Sequence, residues 1–89
     1  MALLAVLHRV RDYQAWRQVY DAFKPQQQAG GVTAESVHRA KGDPNTVLVL
    51  HRFRTLAEAE AFVASPQLRE AMQRAGVEGE PRLELFEDA

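Results

Sequence analysis

Apolar residues fall in blocks along the chain, and the spacing within each block predicts an element. Leu3 to Val10 is apolar at consecutive positions until His8 and Arg9, as expected of a strand whose two faces are both covered. Asp12 can cap a helix, and Tyr13, Trp16, Tyr20 and Phe23 then recur at spacings of three and four, opposite the charged Arg17 and Asp21. A first helix therefore starts near Asp12. Pro25 would cost it the hydrogen bond back to Asp21, so it should end or kink there, ahead of Gly30-Gly31. Val32 to Ala40 reads as a second strand. Lys41-Gly42-Asp43-Pro44-Asn45 reads as a turn, and Thr46 to Phe53, with consecutive Val47-Leu48-Val49-Leu50, as the third strand of a hairpin.

Thr55-Leu56-Ala57-Glu58 has capping-box spacing, in which hydroxyl and carboxylate each satisfy an orphan amide, and predicts a short helix to Ala64. Ser65-Pro66 starts another helix, with Ser as cap and Pro in its first turn. Leu68, Met72 and Ala75 form its buried face, and Gly76 ends it. After Pro81 a last strand runs from Arg82 to Glu87. The order strand, helix, strand, strand, helix, strand predicts an α+β domain with a four-stranded antiparallel sheet and helices on one face only. One face is then bare, yet strands one and three are apolar on both: Leu4, Val6 and Val10 alternate with Leu3, Ala5 and Leu7, and Val47, Val49 and Phe53 with Leu48 and Leu50. A second copy, packed sheet to sheet, is the simplest cover, and a homodimer is expected.

The size of the chain strengthens that expectation. Eighty-nine residues make one domain, 1–89, with little stability to spare. The absence of cysteine removes disulfides, thiolate nucleophiles and cysteine-ligated metals. Eleven Lys and Arg, scattered among twelve Asp and Glu, give a net charge of -1 and no field to attract nucleic acid. The apolar start, Ala2 to Leu7, is too short to span a bilayer and lacks the features of a signal peptide. No membrane association and a cytoplasmic location are expected.

Three strings of residues resemble a known family. These are His8-Arg9-Val10-Arg11-Asp12-Tyr13-Gln14-Ala15-Trp16, Asp43-Pro44-Asn45, and Ser65-Pro66-Gln67-Leu68-Arg69-Glu70-Ala71-Met72-Gln73-Arg74-Ala75-Gly76-Val77. They are similar to small bacterial proteins of the dimeric α/β-barrel superfamily, among them antibiotic biosynthesis monooxygenase-like domains. The resemblance covers the whole chain, and Ser-Pro-x-Leu-Arg-Glu-Ala-Met is its most specific part. It implies a ferredoxin-like βαββαβ subunit whose sheet packs against that of a second subunit to close a barrel. It leaves function open, because the superfamily mixes cofactor-independent monooxygenases, cyclases, haem-degrading enzymes and uncharacterised binders.

Candidate chemistry centres on two histidines. In a ferredoxin-like sheet the first and third strands are expected to be parallel neighbours, which would set His8 and His51 at similar heights. Both share parity with Val6, Val10, Val49 and Phe53. In related folds the aromatic at the Phe53 position faces the helices, which would bring both imidazoles near Trp16, Tyr20 and Phe62. Burial can move an imidazole pKa across neutrality, so His8 is the candidate catalytic base. The expected ligand site is a mostly apolar pocket able to hold a small ring, bounded by Val6, His8, Trp16, Tyr20, His51, Phe53, Phe62, Leu68 and Met72. The plainer alternatives are core-filling histidines and, for Tyr13, Trp16 and Tyr20, a core stripe, which spacing alone favours.

Other chemistry finds little support. The histidines come from separate strands without a carboxylate at ligating distance in sequence, so neither a metal nor another cofactor is expected. Haem-degrading relatives use a helix histidine, and the helical regions here contain none. Cyclase relatives use a histidine and a tyrosine where this chain has Leu68 and Phe62. Ser36 and Ser65 lack a nucleophile-elbow context. Asn45 reads as a turn residue far from the cleft, and His38 as a solvent-facing one. Arg9 and Arg52 face the dimer side, where Glu84 or Glu87 could pair with them. Two functions remain: a small-molecule binding protein, and a cofactor-independent monooxygenase-like enzyme acting on an aromatic or polyketide-like compound.

Overall fold

Local capping sets most boundaries. The Asp12 carboxylate accepts from the Ala15 amide at 3.3 Å and starts a helix that stops at Ala22, after which the chain re-enters helix with Pro25 in its first turn. Pro25 thus divides one helical region into two short helices, because its missing donor is harmless only near a helix start. Thr55 Oγ1 accepts from the Glu58 amide at 3.1 Å, while the Glu58 carboxylate takes the Thr55 hydroxyl rather than the expected amide. Ser65 occupies the cap position before Pro66, but its hydroxyl goes to the Gln67 side chain at 2.7 Å instead of capping the backbone.

The computed structural model describes residues 1–89. Its elements are β1 (Ala2–Val10), α1 (Tyr13–Ala22), α2 (Lys24–Ala29), β2 (Val32–Ala40), β3 (Asp43–Phe53), α3 (Leu56–Val63), α4 (Pro66–Arg74) and β4 (Val77–Glu87). The strands form one antiparallel sheet in the order β2-β3-β1-β4, a ferredoxin-like α+β fold with the helices on one face. No helix is long and apolar enough to cross a membrane.

Three expectations about the strands are corrected. The hairpin turn is only Lys41-Gly42, and Asp43, Pro44 and Asn45 already belong to β3. Asn45 is therefore no turn residue; its side chain accepts from the Tyr13 amide at 3.1 Å and satisfies an orphan donor at the start of α1. Secondly, β4 begins at Val77 and runs through Pro81, which an edge strand tolerates. Leu7 pairs with Arg82 and Arg9 with Glu78, so Gly79, Glu80 and Pro81 bulge out opposite His8 alone. The positive φ of Gly79 (67°) makes that bend possible.

The third correction concerns direction: β1 and β3 are antiparallel, not parallel. The crossover from β1 delivers β2 to the far edge, and β3 returns between them, so it must oppose both. His8 pairs with Val47 and His51 with Leu4. The two imidazoles share the helix-facing side but stand four residues apart along the sheet, about 13 Å at the usual rise.

On the helix face Leu4, Val6, Val10, Val47, Val49 and Phe53 are all buried, joined by Trp16, Tyr20, Phe23 and Phe62 from the helices. Leu3, Ala5, Leu48 and Leu50 on the opposite face are only half-buried, and Leu7 and Phe86 are 42% and 46% exposed. Charges rim this apolar strip, but not in the expected pairs. Arg9 meets Asp43 and, at 3.7 Å, Glu78; Arg52 meets Asp88 at 3.3 Å; Glu84 is taken by Arg82 at 2.6 Å. On the same face His38 is exposed and contacts Ser36 at 2.9 Å.

Candidate functional site

The helical spacing of Trp16 and Tyr20 aims both rings at the sheet, where strand alternation presents His8 and His51. The result is a continuous row of rings. Trp16 lies 5.5 Å from His8 and 4.9 Å from Tyr20, and Tyr20 lies 6.1 Å from His51 with the planes only 11° apart. Phe62 closes the row edge-on to His51 at 5.4 Å. Tyr13 stacks on the outer side of Trp16 at 5.7 Å, half-buried, beneath the Arg39 guanidinium at 3.9 Å.

A cavity of about 50 Å³ lies between this row and α4. Among its lining residues are Val6, His8, Trp16, Tyr20, His51, Phe62, Leu68 and Met72, so the structure brings together eight of the nine residues grouped from sequence. Phe53 is the exception. It is fully buried beneath Phe62, 5.5 Å away, and does not reach the wall. The size also departs from expectation: 50 Å³ holds a few waters, well below the roughly 150 Å³ of an apolar cavity that takes benzene. The large rings themselves fill the space. Leu68 and Met72, however, also line a groove of about 460 Å³ between α4 and β4, floored by Val77 and Leu83 and bounded by the Gly79–Pro81 bulge. Two side chains are thus a shared wall between the small inner cavity and a ligand-sized outer groove.

The polar groups of the cavity differ sharply between its ends. His51 Nε2 lies 3.2 Å from the Tyr20 hydroxyl, which in turn meets the carboxylate of Glu35. Burial, together with the Glu35 hydrogen bond, pushes the Tyr20 phenol up, while the Gln27 side chain opposes this. Burial lowers His51 to about 4, against the pull of the Glu35 charge. His8 is likewise lowered by burial, and the Val6 backbone, which makes no well-formed hydrogen bond to the ring, opposes this only in part. Both imidazoles are neutral at pH 7. Neither nitrogen of His8 has a partner, nor does Nδ1 of His51.

Glu35 escaped sequence reasoning, as did the buried Gln27 and Phe23 of the wall. Glu35 shares parity with Val37 in β2, but only the pairing register, which sets it opposite His51, reveals it as a partner. Phe23 already stood in the helix-one stripe. Gln27 carried no signal, because Pro25 resets the helical phase before it.

The model of the antibiotic biosynthesis monooxygenase family matches residues 11–74. Solved structures are similar to the whole chain. A Bordetella bronchiseptica protein carrying that family name aligns with a TM-score of 0.80 at 12% identity, over 99% of this chain and 96% of its own. SnoaB, a cofactor-independent oxygenase from Streptomyces nogalater, gives a TM-score of 0.80 at 11% identity, covering 99% and 92%. A conserved protein from Methanosarcina mazei gives 0.78 at 12%, covering 100% and 94%. At these identities the likeness is one of fold. No curated protein matches the sequence.

Proposed function

The chain belongs to the antibiotic biosynthesis monooxygenase family, and we propose that it binds a small, flat, largely apolar compound between sheet and helices. The observation that carries this reading is the shared wall: His8, Trp16, Tyr20, His51 and Phe62 line one side of Leu68 and Met72, and a 460 Å³ groove the other. Rotation of the flexible Met72 and of Leu68 would join the two spaces, with the ligand ring against Trp16. Trp16 is the only tryptophan, so its fluorescence reports occupancy directly. Titration with anthrone should give saturable quenching at micromolar concentration, and a response that never saturates overturns the site.

A second reading, cofactor-independent oxygenation of an aromatic or polyketide-like compound, is favoured by His8. It is buried and neutral, and neither nitrogen has a partner, so the nitrogen without a hydrogen is open to take a phenolic proton, and the electron-rich anion would then meet dioxygen in a water-excluded cleft. Oxygen uptake with anthrone or a dihydroquinone should fall about 100-fold or more in His8→Ala. Saturable binding without product, unchanged by His8→Ala, leaves the binding reading and discards the base.

The proposal includes a homodimer through the bare sheet face. Leu3, Ala5, Leu7, Leu48, Leu50 and Phe86 form an apolar strip there with a charged rim, the composition of a surface that a second copy covers. Sedimentation should give a dimer at micromolar concentration. Leu50→Glu should dissociate or unfold it, since an unpaired charge at such an interface costs about 3 kcal/mol or more; a well-folded wild-type monomer removes the idea.

A further inference from the structure

Glu35 lies in the edge strand β2, directly opposite His51, and is half-buried, with the Tyr20 hydroxyl between the two side chains. Hydrogen counting fixes the direction of this chain. A carboxylate can only accept, so the single hydroxyl hydrogen of Tyr20 goes to Glu35. The Tyr20 oxygen is then an acceptor toward His51, and the 3.2 Å contact requires His51 to carry its hydrogen on Nε2. A neutral imidazole has only one such hydrogen. Nδ1 is left as a bare lone pair, buried and without a partner, on a ring that lines the cavity. The ring cannot easily turn to relieve this, since Tyr20 stacks on it at 6.1 Å and Phe62 abuts it at 90°.

We infer that Glu35, acting through Tyr20, is a positioning residue that locks His51 as the Nε2–H tautomer and makes this end of the cavity select a hydroxyl-bearing ligand over one with an ether or carbonyl there. This rests on the reading that the cavity takes a small aromatic compound. A buried acceptor without a donor raises the free energy of the empty protein, and a ligand hydroxyl relieves it. An oxygen that can only accept would face the lone pair of Nδ1 and leave both unpaired. His8 exerts no such choice, since nothing orients either of its nitrogens. Removing the carboxylate reverses the logic: the freed Tyr20 hydroxyl can donate to His51 Nε2, the hydrogen moves to Nδ1, and the site becomes a donor.

The test reads tautomer and preference separately. Nitrogen NMR of the imidazoles in the ligand-free protein should show His51 protonated at Nε2 in the wild type and in Glu35→Gln, whose amide oxygen can still accept, and at Nδ1 in Glu35→Ala. Calorimetry with 1-naphthol and 1-methoxynaphthalene should show the hydroxyl compound bound at least tenfold tighter by wild type and Glu35→Gln. In Glu35→Ala that preference should vanish or invert. If Glu35→Ala fails to fold, Tyr20→Phe replaces it, with a mixture of tautomers and a preference below threefold expected. An unchanged tautomer, or an unchanged preference, in the variant overturns the inference. Should neither compound bind any form, the binding reading fails, and the tautomer in the empty protein still decides the lock.

Discussion

His8 and His51 sit on the same face of the sheet, 6% and 3% exposed, each against a ring of α1. Their surroundings nevertheless differ in kind. His51 lies opposite Glu35 of β2 on one side and Leu4 of β1 on the other, held edge-on by Phe62, and tied through Tyr20 to Glu35. His8 has β3 on one side and the Gly79–Pro81 bulge on the other, and it touches Trp16 without a single hydrogen bond. At the His51 end one ring nitrogen is tied to the Tyr20–Glu35 chain and the other is left bare, whereas at the His8 end, beside the Gly79–Pro81 bulge, both nitrogens are buried without a partner. Such an unsatisfied group lowers stability and is retained most readily where a ligand or a proton meets it.

Removing Phe62 should break the contrast most severely. Its ring packs on His51, Phe53 and Phe23, and a Cβ at Gly30 would come within 2.8 Å of it. Phe62→Ala should cost about 3–5 kcal/mol by chemical denaturation and free His51 to reorient; a loss under about 1 kcal/mol would mean that this end is not held by packing. Acidification comes next. Both histidines have folded pKa values below 6.5, so the unfolded chain takes up protons first as the pH falls. Stability should therefore be complete above pH 6.5 and decline toward about pH 4, where His51 titrates in the fold, by up to about 1.4 kcal/mol per pH unit from His51, with His8 adding in the same direction. His51→Leu should flatten that slope more than His8→Leu, and equal slopes would erase the distinction.

The smallest effect should come from His8→Leu itself. Replacing an unpartnered buried imidazole by an apolar side chain of similar bulk should leave stability unchanged or raise it by up to about 1 kcal/mol, with ligand binding or oxygen uptake impaired. Marked destabilisation would show that His8 is a structural residue after all.

The family resemblance and the element order were legible because they rest on local signals. Asp12, Thr55 and Ser65 mark helix starts, Pro25 divides the first helical region, and the stripe of Trp16, Tyr20 and Phe23 points to the sheet. Pro81 misled, because proline ends a strand only where its missing donor is needed, and β4 turns out to be an edge. The turn formers Asp43, Pro44 and Asn45 misled likewise, since the pairing of Ala40 with Asp43 leaves just two residues to turn the chain.

By itself the sequence determined parity: alternation along a strand is a property of the backbone, so His8 and His51 had to share a face with Val6 and Val49. Tertiary structure alone decided the rest. The direction of β3 beside β1 separated the two imidazoles along the sheet, the register of β2 delivered Glu35 to Tyr20, and the bulk of three rings left 50 Å³ where a ring-sized pocket was expected. Each of these depends on which distant segments pair and how tightly their side chains close, and no spacing within a single segment encodes that.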